Sequence, residues 1–301
     1  MRKPVIRHAE TIYRGMNGRT VERIRLESDE MRILKHCGPD PHEYWIYNHI
    51  LSSFPPIYPK LIGQSLDTES AADCWLLFED LGTLDHGYNE EAAREVIRYI
   101  SWWHSLPVGQ LSGLPVQGLK PSYKEMASEL AASVRELLTF SHTHGISPDL
   151  IRVLFKRIER ESISNELVLS HGDLHTGNYA FAADGRLYIL DWEHTHLNNR
   201  FWDLYHVIDL SHPLYPKTKD PLWRMRLLEF YLNETERNGT LLDKRRFIRE
   251  YELFASVFSL WMLRLIDSDM ARQSGPWTLE QLSGQAAETA RTFQQTMDSI
   301  R

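Results

Sequence analysis

Two short polar segments in the middle of the chain contain residue types that can carry out group-transfer chemistry. The first segment ends at Asn178 and reads H-G-D-L-H-T-G-N, with Asp173 five residues before the asparagine. The second segment reads I-L-D-W-E and contains Asp191. The first aspartate can accept a proton from a hydroxyl, while an amide and a second carboxylate can hold a divalent cation. These residue types at this spacing are typical of phosphoryl-transfer sites.

The residues between the two segments predict a β-hairpin. Strands are expected over 179–183 and 186–190, joined by an Asp-Gly turn at 184–185. A two-residue turn sets Asn178 directly opposite Asp191, with Cβ atoms about 5 Å apart. The amide oxygen and the carboxylate would then converge on one hard cation such as Mg²⁺.

Each of these residues also has a common structural explanation. Asn178 can be a turn residue, Asp191 a cap after a strand, and His171 a buried histidine bound to backbone. The joint occurrence of the required residue types at the required spacing favours the chemical interpretation for the asparagine and the aspartates. We assign His171 to structural support.

Composition limits the classes of protein to which the chain can belong. The 301 residues are 42% hydrophobic, which is enough for a large core and two lobes. No apolar run approaches a membrane span, and the first ten residues lack the apolar centre of a secretion signal. Two cysteines argue against a disulfide framework. The net charge of −7 argues weakly against nucleic acid and suits a cationic substrate. We therefore expect a cytoplasmic protein that binds a small molecule and neither nucleic acid nor membrane.

The elements that must position these residues begin with a β-rich segment. Alternating apolar residues and turn signals predict five short strands: 6–14, 20–26, 31–37, 60–63 and 74–78. The glycine turn at 15–18 can bring backbone amides close to phosphates, although such turns are common in hairpins that bind nothing.

Lys35 and Glu43 are the candidates for binding nucleotide phosphate in this segment. Lys35 lies on the third predicted strand, and Asp40 is expected to cap a helix with Pro41 in its first turn. In a kinase-like lobe, Lys35 would hold the α and β phosphates and Glu43 would orient the lysine as an ion pair. Alternatively, Glu43 completes a capping arrangement with Asp40, and Lys35 is a solvated strand residue.

A change of architecture is predicted at E-D-L-G, residues 79–82. We end an N-terminal lobe, residues 1–81, there and expect the backbone from Glu79 to Leu81 to hydrogen-bond an adenine edge. Residues 82–301 are expected to form a mainly helical lobe apart from the catalytic hairpin. Helices are predicted in six segments: one capped by Asn89, then 122–140, 148–161, 221–238, 243–267 and 278–297.

Taken together, these motifs resemble those of the aminoglycoside phosphotransferase and choline kinase group. The resemblance rests on H-G-D-L-H-T-G-N, on I-L-D-W-E, and on the continuation N-N-R-F-W-D-L, which contains Asp203. It implies an α+β, bilobal protein-kinase-like fold, with a small β-rich N-terminal lobe and a larger, mainly helical C-terminal lobe. It implies Asp173 as catalytic base, Asn178 and Asp191 as Mg²⁺ ligands, and Lys35 as a ligand of nucleotide phosphate. Asp203 would be a structural aspartate that braces the catalytic loop.

Two departures from protein kinases favour a small acceptor over a protein. Gly172 replaces the arginine that normally follows the histidine. Only eleven residues separate Asp191 from Asp203, which is too few for a long regulated activation loop.

Three side chains flank the proposed site and are candidates for contacting the acceptor: Trp192, Glu193 and Trp202. An aromatic face beside a carboxylate suits a quaternary or primary amine. Tryptophans near a site are, however, more often packing residues, and this chain contains nine of them.

We therefore expect a phosphotransferase that moves the γ-phosphoryl group of ATP or GTP to a hydroxyl of an amino alcohol, an aminoglycoside or a sugar. A kinase-like nucleotide-binding protein without turnover is an alternative, although Asp173, Asn178 and Asp191 together argue against it. A metal-dependent hydrolase is less consistent with the sequence. Its histidines between 171 and 196 are not in the helical H-E-x-x-H arrangement.

Overall fold

The chain packs as two compact units, as a computed structural model shows. The described residues are 4–15, 18–38, 40–65, 74–118, 120–217, 221–273 and 275–300. The N-terminal unit comprises the described residues of Met1–His86 and Asn178–Glu193, and the helical unit those of Gly87–Gly177 and His194–Arg301. The first unit thus includes the catalytic hairpin, which lies far along the sequence from the rest of that unit. The lobe boundary at Leu81 stays a prediction. Met16 and Asn17, in the predicted glycine turn, lie outside the described residues.

The N-terminal unit contains a five-stranded antiparallel sheet, one helix and the hairpin. The strands of the sheet are β1 (Ile6–Arg14), β2 (Thr20–Leu26), β3 (Met31–His36), β4 (Leu61–Ser65) and β5 (Trp75–Glu79), in the order β1-β2-β3-β5-β4. The hairpin consists of β7 (Tyr179–Phe181) and β8 (Leu187–Ile189). Every strand of the sheet overlaps a segment predicted from alternating apolar residues. Their inward side chains form a core of Ile24, Leu34, Trp75 and Leu77.

Helix α1 (His42–His49) follows β3, and its start differs from the prediction. Pro41 occupies the N-cap position, and Asp40 lies one residue earlier, where its Oδ1 accepts the His42 N–H at 2.9 Å. Asp40 therefore satisfies an N-terminal donor of the helix as an Asx turn. Glu43 takes no part in a capping box, because its carboxylate is bound elsewhere.

The helical unit contains eight described helices and one short ribbon. The helices are α2 (Glu90–His104), α3 (Tyr123–Ala132), α4 (Val134–Thr143), α5 (Pro148–Arg160), α6 (Phe201–Ile208), α7 (Pro221–Arg237), α8 (Lys244–Arg272) and α9 (Leu279–Ser299). The ribbon pairs β6 (Leu167–Ser170) with β9 (His196–Asn199) in antiparallel register. Within the described part of the chain, no helix combines the length and the apolar character that crossing a membrane requires.

Helix starts in this unit follow the sequence signals, while one predicted helix is divided. Asn89 caps α2 by accepting the Ala92 N–H, as predicted. The helix predicted over 122–140 breaks at Ser133, whose hydroxyl bonds the carbonyls of Glu129 and Leu130. A serine hydroxyl that competes for helix carbonyls bends or ends the helix.

Three elements of this unit were not predicted: β6, β9 and α6. The two strands have four residues each and pair over a long separation in sequence. Every residue of α6 is buried, so it lacks the polar face that marks an amphipathic helix. These three elements carry or flank the residues of the candidate site.

Candidate active site

The N-terminal unit gathers three carboxylates around one ammonium group, in what we name the Lys35 cluster (Lys35, Glu43, Asp191 and Glu193). The Lys35 Nζ lies 2.7 Å from Glu43 Oε2, 2.6 Å from Asp191 Oδ1 and 3.1 Å from Glu193 Oε2. Strand β3 supplies the lysine, α1 supplies Glu43, and the segment after β8 supplies the other two carboxylates. The ion pair between Lys35 and Glu43 is thus present in the structure.

Burial and charge act in opposite directions within this cluster. Burial lowers the pKa of Lys35, but the surrounding carboxylates outweigh it and hold that pKa well above its usual range. Burial raises the pKa of Glu43 to about 7, even though the Lys35 ammonium lowers it. The lysine is therefore charged at neutral pH, and three carboxyl groups share its single positive charge.

The register of the hairpin corrects our prediction for Asn178 and Asp191. Tyr179 pairs with Ile189, one residue away from the predicted partner, and the Leu190 N–H donates to the Asn178 carbonyl at 2.8 Å. The loop has three residues, 183–185, and ends in Gly185 at φ +79°. A three-residue loop with glycine in the left-handed region shifts the register relative to a two-residue turn. Asn178 is therefore opposite Leu190.

Asp191 follows the hairpin in an unusual backbone conformation. Its φ is +60°, in the left-handed region that non-glycine residues rarely adopt. Such a conformation costs about 1 kcal/mol and is concentrated at functional sites. It places the Asp191 carboxylate in the Lys35 cluster, 2.6 Å from the ammonium.

The carboxylates of the Lys35 cluster have the chemistry of a hard-cation site. Ligand oxygens of Glu43, Asp191 and Glu193 lie within 4.8 Å of one another. All three are oxygen donors of the kind that Mg²⁺ and Ca²⁺ bind. Among the described residues no other group of histidine, cysteine and acidic side chains meets this spacing. The set contains Asp191, one of the two side chains predicted to bind Mg²⁺.

The loop that carries Asp173 is held in the helical unit by the buried Asp203. The carboxylate of Asp203 accepts the backbone N–H groups of His171 at 3.0 Å and Gly172 at 3.3 Å, and the Ser170 hydroxyl at 2.7 Å. Burial raises the pKa of Asp203, but its hydrogen bonds, with His104 first, outweigh burial and hold the pKa well below its usual range. Asp203 is therefore an ionised anchor for the start of the loop.

Gly172 is required by the shape of this loop. Its φ is +82°, and an added Cβ would lie 2.1 Å from the carbonyl oxygen of His194. A backbone atom this close cannot be avoided by a rotamer change. Steric conflict thus explains why this position, where protein kinases have arginine, is a glycine.

Asp173 is the centre of a second group, the Asp173 cluster (Asp173, Lys120, His175 and His206). Lys120 Nζ forms an ion pair with Asp173 Oδ1, His206 Nε2 lies 3.7 Å from the same oxygen, and His175 Nε2 lies 4.0 Å from Oδ2. Burial raises the pKa of Asp173, but Lys120 and then the histidines outweigh it and hold the pKa well below its usual range. Asp173 is therefore an ionised carboxylate at neutral pH.

The two tryptophans predicted to contact the acceptor are both buried and could not touch a bound molecule. Trp192 is fully buried, donates its indole N–H to the Ile189 carbonyl at 3.1 Å and packs edge-on against Phe54. Trp202 is 1% exposed and donates to the Gly172 carbonyl at 2.8 Å. Both rings are therefore packing residues of the core, which was the alternative explanation for them.

The remaining predicted residues lie in the N-terminal unit. Glu193 belongs to the Lys35 cluster. The backbone N–H of Glu79 donates to the Lys60 carbonyl at 3.0 Å within the sheet, so this donor is not directed at an adenine. Leu81 is half-buried just after β5, in a segment where Asp80 binds Arg23 at 2.9 Å. The adenine contact at Leu81 stays a prediction.

Lys120 and His206 were missed by sequence reasoning. Lys120 lies in an irregular segment before α3 and belongs to no motif. His206 lies on α6, which has no polar face to signal it. Only the folded chain brings these residues to Asp173.

One family model and several solved structures match the chain. The model of the phosphotransferase enzyme family matches residues 10–248. A search of curated proteins finds no match to the chain.

Solved structures share the fold at low sequence identity. A spectinomycin phosphotransferase in complex with ADP and spectinomycin is 14% identical, with 96% of this chain and 94% of that chain covered and a TM-score of 0.60. A choline kinase from Streptococcus pneumoniae is 14% identical, with 96% and 94% covered and a TM-score of 0.55. The GDP and kanamycin complex of APH(2")-IIia is 13% identical, with 95% and 94% covered and a TM-score of 0.60. These likenesses confirm the predicted kinase-like fold class.

Proposed function

Because this chain belongs to the phosphotransferase enzyme family, we propose that it transfers the γ-phosphoryl group of ATP or GTP to a hydroxyl of a small molecule. The observation that carries the proposal is the state of Asp173, an ionised carboxylate on a loop anchored by Asp203. Similar folds with ADP or GDP bound support the use of a nucleotide.

Asp173 is the residue to which we assign the acceptor hydroxyl. Its carboxylate would accept a hydrogen bond from the hydroxyl and orient the oxygen for in-line attack on the γ-phosphorus. The hydroxyl proton would pass to Asp173 as the bond to phosphorus forms and the nucleoside diphosphate leaves. Asp203 would contribute by fixing the backbone from which Asp173 projects.

The Lys35 cluster is the part to which we assign the nucleotide phosphates. Lys35 would donate to phosphate oxygens, and Glu43 would keep the lysine in place through the 2.7 Å contact. We assign Mg²⁺ to Asp191 and add Glu193, because its carboxylate belongs to the same donor set. The assignment of Asn178 rests on the family resemblance alone. A bound Mg²⁺ would neutralise phosphate charge.

The experiment that tests this proposal is magnesium-dependent consumption of ATP and GTP with a panel of hydroxyl compounds. The panel contains amino alcohols, aminoglycosides, sugars and hydroxy acids, each assayed with the wild type and Asp173→Asn. We expect one class of acceptor to stimulate nucleotide consumption, and Asp173→Asn to remove that stimulation while nucleotide still binds.

Two results would contradict the proposal. Absence of nucleotide binding would remove the role of the Lys35 cluster. Stimulated turnover that survives Asp173→Asn would show that another group is the base.

A further inference from the structure

Lys120 has no role in the function proposed so far, yet its ammonium contacts the carboxylate assigned as the base. The side chain of Lys120 is 34% exposed and that of Asp173 is 19% exposed, so a bound molecule can reach both. A residue in this position meets whatever part of the acceptor lies next to its reacting hydroxyl.

The segment that carries Lys120 is fixed against the ribbon that leads into the catalytic loop. The Leu197 N–H of β9 donates to the Pro115 carbonyl at 2.9 Å. An added Cβ on Gly118 would lie 2.7 Å from the ring of His196. The chain is thus packed against β9 at Pro115 and at Gly118, two residues before Lys120.

Of the two histidines beside Asp173, His206 carries little charge at neutral pH. Burial lowers the pKa of His206 to about 3, and its Nδ1–H donates to the Trp202 carbonyl at 2.8 Å. The ring of His175 stacks on His212 at 4.7 Å, and burial lowers the pKa of His212 to about 3. Lys120 is thus a charged group in direct contact with the Asp173 carboxylate.

This arrangement would discriminate between acceptors by charge. A hydroxyl bound to Asp173 brings its neighbouring substituent close to Lys120. A substituent with positive charge would be repelled by the ammonium, whereas an anionic oxygen group would accept a charge-assisted hydrogen bond from it. The sequence-based expectation of a cationic acceptor points in the opposite direction.

We propose that the acceptor carries an anionic oxygen group, a carboxylate or a phosphate, near its reacting hydroxyl, and that Lys120 binds this group beside Asp173. The proposal rests on the proposed phosphotransferase function and narrows it to hydroxy acids and phosphorylated alcohols. Lys120 is then the residue that determines specificity for charge.

The test compares acceptors that differ mainly in charge: glycerate, glycerol 3-phosphate, glycerol and ethanolamine. Assays near pH 8 keep Asp173 ionised in every variant. We expect kcat/KM for at least one anionic acceptor to exceed that for glycerol about 10-fold or more, as one hydrogen bond to a charged group allows. Comparison of glycerate with glycerol 3-phosphate distinguishes a carboxylate from a phosphate.

Lys120→Gln and Lys120→Arg then identify the residue responsible. Lys120→Gln should lower kcat/KM at least about 10 times more for the anionic acceptor than for glycerol, mainly by raising KM. Lys120→Arg keeps the charge and should retain the preference. Thermal unfolding of both variants shows that the fold is intact.

Two outcomes overturn the inference without affecting the phosphotransferase proposal. One is a preference for ethanolamine or another cationic acceptor. The other is an equal loss with every acceptor in Lys120→Gln, which would place Lys120 on the transferred phosphoryl group or on Asp173 alone.

Calorimetric binding of glycerate and glycerol 3-phosphate provides a readout that does not need turnover. Binding that is lost in Lys120→Gln would support the anion site even if the phosphotransferase proposal failed. Failure of both anions to bind at millimolar concentration would overturn the inference.

Discussion

The Lys35 cluster and the Asp173 cluster combine acidic and basic side chains in opposite proportions. In the first, three carboxylates surround one ammonium; in the second, one carboxylate contacts one ammonium and two imidazoles. The first group therefore has an excess of negative charge, which favours a divalent cation. The second pairs its single carboxylate with an ammonium, which favours a hydroxyl and its substituents.

The clusters also differ in how the chain supports them. The Lys35 cluster joins residues 156 positions apart through side-chain contacts and a left-handed Asp191. Asp173 instead projects from a short loop whose backbone N–H groups bind Asp203. The comparison indicates that the first site depends on charge balance and the second on backbone geometry.

Asp173→Asn should produce the largest effect. It tests whether the Asp173 cluster carries the chemical step while the Lys35 cluster binds the nucleotide. Loss of a general base lowers kcat by about 10²-fold to 10⁴-fold. We expect about 10³-fold with the preferred acceptor, because the amide cannot accept the proton, while nucleotide affinity changes little. Steady-state kinetics and nucleotide titration measure the two quantities. Asp149→Asn, on the exposed first turn of α5, is the matched control and should behave as wild type.

Lys35→Met should have the next largest effect and tests whether charge balance supports the first cluster. The substitution leaves three carboxyl groups without their shared cation. We expect the free energy of unfolding to fall by about 3 kcal/mol, as when one partner of a buried ion pair is removed, and nucleotide binding to be lost. Urea unfolding measures the stability.

Two further variants make the Lys35 experiment specific. Lys35→Met combined with Glu43→Gln should recover part of the lost stability, because the amide needs no counter-charge. Lys244→Met removes an exposed pair with Glu229 and should cost under about 1 kcal/mol. Equal losses for Lys35→Met and Lys244→Met would show that the cluster does not depend on charge.

Gly172→Ala tests whether backbone geometry supports the second cluster. An alanine at φ +82° is strained, and its Cβ would meet the His194 carbonyl. We expect a loss of about 2 kcal/mol in stability together with reduced kcat, because Asp173 is displaced.

Gly185→Ala is the matched control for this glycine. Its φ is +79°, but an added Cβ would have no atom within 4 Å. The loss should be about 1 kcal/mol, from the left-handed conformation alone, without a change in kcat. Equal effects at the two glycines would remove the steric argument for Gly172.

The smallest expected effect is the response of kcat/KM to pH. A carboxyl group whose pKa is depressed in the folded protein stabilises the fold at every pH above its ordinary pKa of about 4. This contribution is lost as the pH falls through the pKa of the folded state. Asp173 therefore stays ionised from pH 8 to 5, and His206, with its pKa lowered to about 3, stays neutral. With saturating magnesium nucleotide, kcat/KM should show no inflection from either residue in this range. An inflection near pH 6.5 that disappears in His206→Phe would contradict the assignment.

Sequence reasoning succeeded where the information is local. The family resemblance carried by the motifs is confirmed, as are the strands of the sheet and the Asn89 cap. Alternation, caps and motif spacing are properties of neighbouring residues, so they are visible in the sequence.

Sequence reasoning failed where a difference of one residue in a loop, or of one side of an element, changes which residues meet. The hairpin turn was identified, but a three-residue loop in place of a two-residue loop moved every pair by one residue. Trp192 and Trp202 were predicted near the acceptor because they are close to the motifs in sequence. Both face the core, and proximity in sequence does not specify which side of an element a ring occupies.

The sequence by itself determined the chemistry available to this protein: the residue types and spacing around Asp173, the hairpin that follows, and the family. The tertiary structure decided which charges meet. Lys35 contacts Asp191 across 156 positions, and Lys120 contacts Asp173 across 53. Such pairs form because burial makes an uncompensated charge costly, so the fold must supply a partner. Many residues could satisfy that requirement, and only the packing of the chain selects one.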